Sequence, residues 1–141
     1  MTVQRRIRRR TFLLGAAGLG VSLAWWYGPS PFRGAFFSRS ERLASLLEHV
    51  DGARTVGREY LRQVPAEASP GVLAGRVAER LPGGLATVDT ASDGLLRELL
   101  LRAVAEDFRD LRTMELQGWV LARTEARLCA LAALGATSAP A

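Results

Sequence analysis

The chain has 141 residues, 48% of them apolar, which is enough for one small packed domain and little more. Its net charge of +5 is uneven: Arg5, Arg6, Arg8, Arg9 and Arg10 crowd the first ten residues, while from residue 28 onward 14 arginines are offset by 14 acidic residues. A neutral body argues against a nucleic-acid binder, whose basic footprint would lie on the folded domain. All 19 basic residues are arginine, which reads as composition bias rather than function. The single cysteine, Cys129, cannot form a disulfide within the chain. Its apolar neighbours Leu128, Ala130 and Leu131 predict burial as a small hydrophobe.

The first 27 residues read as an export leader. A positive segment is followed by an uncharged stretch from Phe12 to Tyr27, the order of parts that a leader carries. Residues 9–14, Arg-Arg-Thr-Phe-Leu-Leu, resemble the twin-arginine signal at Arg9, Arg10, Phe12 and Leu13. Leu14 and Arg8 depart from it at tolerant positions, and an arginine-rich general secretory leader is the alternative. The resemblance implies export by the twin-arginine translocase, with the body on the periplasmic side of the inner membrane. Two fates fit the leader. Ser22-Leu23-Ala24 offers a fair cleavage site. Against it, Trp25, Trp26 and Tyr27 suit a membrane–water interface. An uncleaved helix over the apolar stretch would span roughly 24 Å, short of the ~30 Å hydrocarbon core by a modest mismatch. Residues 28–38 form a linker, stopped from helix formation by Pro29 and Pro31. Its Phe32, Phe36 and Phe37 suit either the membrane surface or the body.

The body, residues 39–135, reads as an all-α domain: a small bundle of four to five short helices behind the leader or anchor helix. The first helix starts at Ser38 or Ser40 and carries Leu43, Leu46, Leu47 and Val50 at helical spacing, with Asp51-Gly52 as its break and His49 near its C-terminus. The second, about 53–64, has the stripe Ala53, Val56, Gly57, Tyr60, Leu61 and Val64, ended by Pro65. Ser69-Pro70 starts a third helix running to about Leu81, with Val72, Leu73 and Val77 inward. Residues 83–92 read as a loop. Asp93 caps a fourth helix from 94 to 112, with Leu96, Leu100, Val104, Phe108 and Leu111 on one face. Residues 113–121 alternate partially and fit a short strand or an extended tether. A final helix covers 123–134, and residues 136–141 are expected as a flexible tail.

Chemical motifs are sparse. His49 is the only histidine, and it suits a helix end better than a metal site, which gathers several ligands. Haem-attachment, CxxC, GxSxG, P-loop and GxGxxG patterns are missing from the body. Glu106, Asp107 and Asp110 sit among Arg102, Arg109 and Arg112, the pattern of a solvated, ion-paired face. No catalytic, cofactor-binding or metal residues are expected. The residues that stand out are Glu115, Trp119, Arg123, Glu125 and Arg127, around the body's one tryptophan. They fit a partner-docking surface, since Trp and Arg anchor interfaces. The favoured reading is a core tryptophan under a salt-bridged helix with Arg123 and Arg127 outward.

Leader, size and helical character together resemble the small, twin-arginine-signalled subunits of periplasmic flavin dehydrogenases, the gluconate and sorbitol dehydrogenase type. The small subunit of such a complex carries the signal and the large one carries FAD. The resemblance covers residues 9–27 and no motif of the body, so no site residues carry over. It implies a non-catalytic accessory subunit whose partner is a cofactor-bearing dehydrogenase subunit. The alternative is a stand-alone periplasmic ligand-binding domain or small enzyme.

Overall fold

A computed structural model describes residues 8–9 and 39–137. The body is mostly helical, as expected, with more elements than the four to five helices read from sequence. Helix α1 covers Arg39–Ser45, α2 Val50–Gln63, α3 Pro70–Ala78, α4 Leu85–Thr90, α5 Asp93–Arg109 and α6 Arg123–Thr137. A 3-10 turn, Pro65–Glu67, follows α2. Strand β1 is the two-residue segment Arg8–Arg9, and β2 (Thr113–Leu116) and β3 (Trp119–Ala122) form a hairpin between α5 and α6. The sheet order is β1-β3-β2, with β1 parallel and β2 antiparallel to β3. The expected leader helix and the tail beyond Thr137 lie outside the described residues. Among those residues, no helix is long and apolar enough to cross a membrane.

Helix α6 is the centre of the domain. Every residue from Thr124 to Ala133 is buried, as a helix enclosed on all sides requires. Helices α1, α2, α3 and α5 all pack on it, α2 most extensively. Small side chains permit this: Ala126, Ala130, Ala132 and Ala133 let neighbours approach closely. At Gly57 of α2 the approach is backbone to backbone, since a Cβ there would lie 2.0 Å from the Cys129 carbonyl oxygen. Cys129 is itself buried, as its apolar neighbours predict.

The helix boundaries shift for identifiable reasons. The chain breaks at residues 46–49, not at Asp51-Gly52, because Leu46 and Leu47 are buried in the turn itself. Asp51 instead lies in the first turn of α2, where its negative charge faces the positive end of the helix dipole. His49 is accordingly the residue before α2 and not the end of α1. The segment expected as a loop contains α4. Its Val88 is fully buried, and Arg42 of α1 donates to the Val88 and Ala91 carbonyls, so tertiary contacts hold a helix that its threonines would not favour. Ser92 rather than Asp93 caps α5, its hydroxyl accepting from Leu95 N at 3.3 Å. That helix stops at Arg109, because Leu111 takes a left-handed φ of 57° and stands 84% exposed, off the inner face expected for it. Helix α3 ends at Ala78, and Val72 is exposed rather than inward. Helix α6 runs three residues past Leu134.

The segment 113–121, expected as one short strand or a tether, holds two paired strands and their turn, β2 and most of β3. Its turn, Gln117-Gly118, has left-handed φ values of 53° and 80°. Two such residues match the twist of the flanking strands and close a two-residue hairpin.

Candidate partner-binding face and the polar locks of α6

The hairpin and the start of α6 hold the five residues singled out from sequence, and the structure splits them into two groups. Glu115 and Trp119 are on the hairpin, where Glu115 pairs in register with Val120 and Leu116 with Trp119. Glu115 and Arg123 are exposed. Trp119 is half-buried, one side packed on the core, while Leu116 opposite is fully buried. Glu125 and Arg127, by contrast, lie inside the domain at 0% and 9% exposure. The expectation that Arg127 faces outward is therefore corrected. The helix that carries it is enclosed on all sides, so no outward face exists at that position.

Arg127 faces Glu67, which lies on the 3-10 turn after α2. Its Nε and Nη2 donate to the two Glu67 oxygens at 2.9 and 2.8 Å, the forked geometry that suits guanidinium and carboxylate. The Tyr60 hydroxyl donates to the same carboxylate at 2.5 Å. Arg127 hydrogen bonding, with support from Tyr60, lowers the Glu67 pKa to about 2 although burial opposes it. Burial, with the Glu67 hydrogen bond, pushes the Tyr60 hydroxyl up to about 12. Burial works against the Arg127 charge, but the bonds to Glu67 and Tyr60 overcome it and raise its pKa. The Cys129 thiol is pushed up by burial and by the nearby Glu125 charge, the opposite of what a reactive thiolate needs.

A second lock holds the start of α6. Asp107 is 1% exposed. Its Oδ2 accepts from the Thr124 backbone N at 2.8 Å and the Thr124 hydroxyl at 2.7 Å. Its Oδ1 lies 3.3 Å from Arg80 Nε and 3.2 Å from Arg112 Nε. A carboxylate from α5 thus takes the place of a cap residue at the N-terminus of α6, satisfying an orphan N–H and facing the helix dipole. Of the three acids read as a solvated face, Glu106 and Asp110 do make surface pairs, with Arg80 and Arg112. Asp107 departs from that expectation and belongs to the interior. Its signal was present in the sequence: Asp107 stands three residues after Val104, on the inner stripe of α5.

The opposite end of α6 borders a groove of about 890 Å³. Ala44 of α1, Ala74 of α3, Leu85 of α4 and Leu131 and Leu134 of α6 give it an apolar lining. At its rim Arg39, the first residue of α1, makes a double bond-pair with Asp89 of α4, both contacts at 2.6 Å. No local pattern in the sequence marks this groove, because its walls come from five separate helices.

Among the described residues, no group of three His, Cys, Asp or Glu side chains is placed to hold a metal ion. Of the export-signal residues, Arg9 lies in β1, its backbone paired with Val120, and Arg10, Phe12 and Leu13 fall outside the described residues. Comparison with models of protein families, with curated proteins and with solved structures gives no match.

Proposed function

We propose that this chain is a twin-arginine-exported, non-catalytic helical subunit that escorts or anchors a cofactor-bearing oxidoreductase on the periplasmic side of the inner membrane. One observation carries the reading: a leader with Arg9, Arg10, Phe12 and Leu13 precedes a folded body in which Asp107 binds Thr124, Arg80 and Arg112, and Arg127 binds Glu67. The twin-arginine route carries proteins already folded, and a body without a cofactor motif gains from that route by travelling with a partner that needs it. Glu115, Trp119 and Arg123 at the hairpin are the contact face in this reading, whereas Glu125 and Arg127 support it from within.

The test is purification of the tagged full chain from membranes. A larger, flavin-bearing protein should come with it, and changing Arg9 and Arg10 together to Lys should hold both in the cytoplasm. Normal export of the double-Lys chain removes the signal assignment. A chain that purifies alone removes the escort role. The groove favours a second reading, a ligand-binding domain, because about 890 Å³ lies within the range of small-molecule sites. A rise in melting temperature with a small apolar ligand, without any protein partner, would select it.

A further inference from the structure

The leader meets the body at β1. This strand, Arg8–Arg9, runs parallel to β3, with Arg8 opposite Trp119 and Arg9 opposite Val120. The hairpin leaves that edge ready for it. Gln117-Gly118 is a two-residue turn, so Leu116 and Trp119 exchange the bonds that close it, and the next pair along, Glu115 and Val120, does not. The N–H and C=O of Val120 therefore face away from β2 and toward Arg8–Arg9. The edge exists only in a folded body, because Leu116 and Leu121 hold the hairpin on the core.

We propose that the folded body holds its own export signal on the outer edge of β3, and that this strand must lift off before the chain crosses the membrane. The inference rests on the export reading and adds a gate to it. Arg9 is the first of the signal's arginine pair and is the residue opposite Val120. A pair held against β3 is presented to an outside receptor only in the fraction of molecules where β1 is detached. Geometry also forbids pairing and crossing at once. When the apolar stretch from Phe12 to Tyr27 crosses the membrane, Arg9 and the body stand on opposite faces of a hydrocarbon core ~30 Å thick. Paired strands lie only about 5 Å apart. The paired state therefore belongs to the chain before crossing. Two residues make a weak strand, so an extended segment of another protein that adds to β3 in their place opens the gate.

The full chain, purified from the cytosol of cells lacking the translocase, carries the test. Hydrogen exchange at the Val120 amide reads the pairing, and the export rate in cells that have the translocase reads the gate. Arg8→Pro breaks a strand without touching Arg9, Arg10, Phe12 or Leu13. Exchange at Val120 should then rise at least about tenfold, and export should become at least about threefold faster. Val120→Pro removes the outward N–H from the body side, leaves the leader intact, and should speed export in the same direction. Unchanged exchange in Arg8→Pro would overturn the pairing, and faster exchange with unchanged or slower export would overturn the gate. So would a Val120→Pro chain that melts like the wild type and exports no faster. The Arg9→Lys, Arg10→Lys chain should keep Val120 protected, because strand pairing uses the backbone alone. Normal export of that chain removes the signal assignment and the gate with it, a failure that the exchange readout tells apart from a failure of the pairing.

Discussion

The two ends of α6 solve the same packing problem with different chemistry. Near its N-terminus the helix is fastened by charge: Asp107 accepts the Thr124 backbone N–H, and Arg127 reaches the Glu67 carboxylate. Near its C-terminus it carries only small and aliphatic side chains and faces an open groove. Between them, at Cys129, the α2 backbone presses directly on it. The difference teaches where the fold tolerates change. Polar locks have specific partners and fail when one is removed, whereas an apolar end loses only area.

Substitutions along α6 and its partners should expose that gradient. Gly57→Ala comes first, since its Cβ would meet the Cys129 carbonyl at 2.0 Å. The helices must move apart, and the expected loss is about 3 kcal/mol or more. A melt of Gly57→Ala indistinguishable from wild type would show that the α2–α6 contact is looser than described. Asp107→Ala removes the cap of α6, leaves the Thr124 N–H without its acceptor, and takes from Arg80 and Arg112 their inner carboxylate, leaving them only Glu106 and Asp110. A loss of about 3 kcal/mol is expected in denaturant unfolding. If Asp107→Asn, which keeps one acceptor, loses as much, the charge rather than the hydrogen bond holds the helix start.

Arg127→Ala should cost about 2 kcal/mol, because Glu67 loses its guanidinium partner at the edge of the core and keeps only the Tyr60 hydroxyl. A double-mutant cycle with Glu67→Gln measures the coupling. The same pair predicts an acid limb. The folded Glu67 pKa is depressed to about 2 from 4.5, so the unfolded chain takes up its proton first. The stability it contributes is complete above about pH 4.5 and is lost as pH falls toward 2. Glu67→Gln should flatten the stability curve in that window, and an unchanged slope would place the acid sensitivity elsewhere. Gly135→Ala is the smallest change and has the opposite sign. It lies in α6 beside the groove, with nothing within 4 Å of its Cβ, so a gain of about 0.5–1 kcal/mol is expected. A loss there would mean that the C-terminal end is as tightly fitted as the N-terminal one.

What the sequence disclosed follows the same divide. Periodicity found the inner faces of α2 and α5, because Ala53, Val56 and Tyr60, and Leu96, Leu100 and Val104, repeat at helical spacing and are buried. It failed where a charge lies inside. Arg127 reads as surface because its partner Glu67 is 60 residues away, a distance no local pattern spans. Helix α4 was hidden because its support comes from Arg42 on another helix. The hairpin was half visible: alternation marked β2, but Gln at the first turn position is a weaker signal than Asn or Asp. Of the candidate face, Glu115 and Arg123 are at the surface, Trp119 straddles it, and Glu125 and Arg127 are interior for the reason that hid the second lock.

The central position of α6 also bears on how the chain matures. Helices α1 to α5 precede in sequence the helix on which most of them pack. During synthesis they leave the ribosome with their apolar faces uncovered, and they have no common centre until residues 123–137 follow. Contacts that join residues so far apart close slowly, and partly made chains of this kind are prone to stick to one another. Packing of the body around its centre therefore waits for α6.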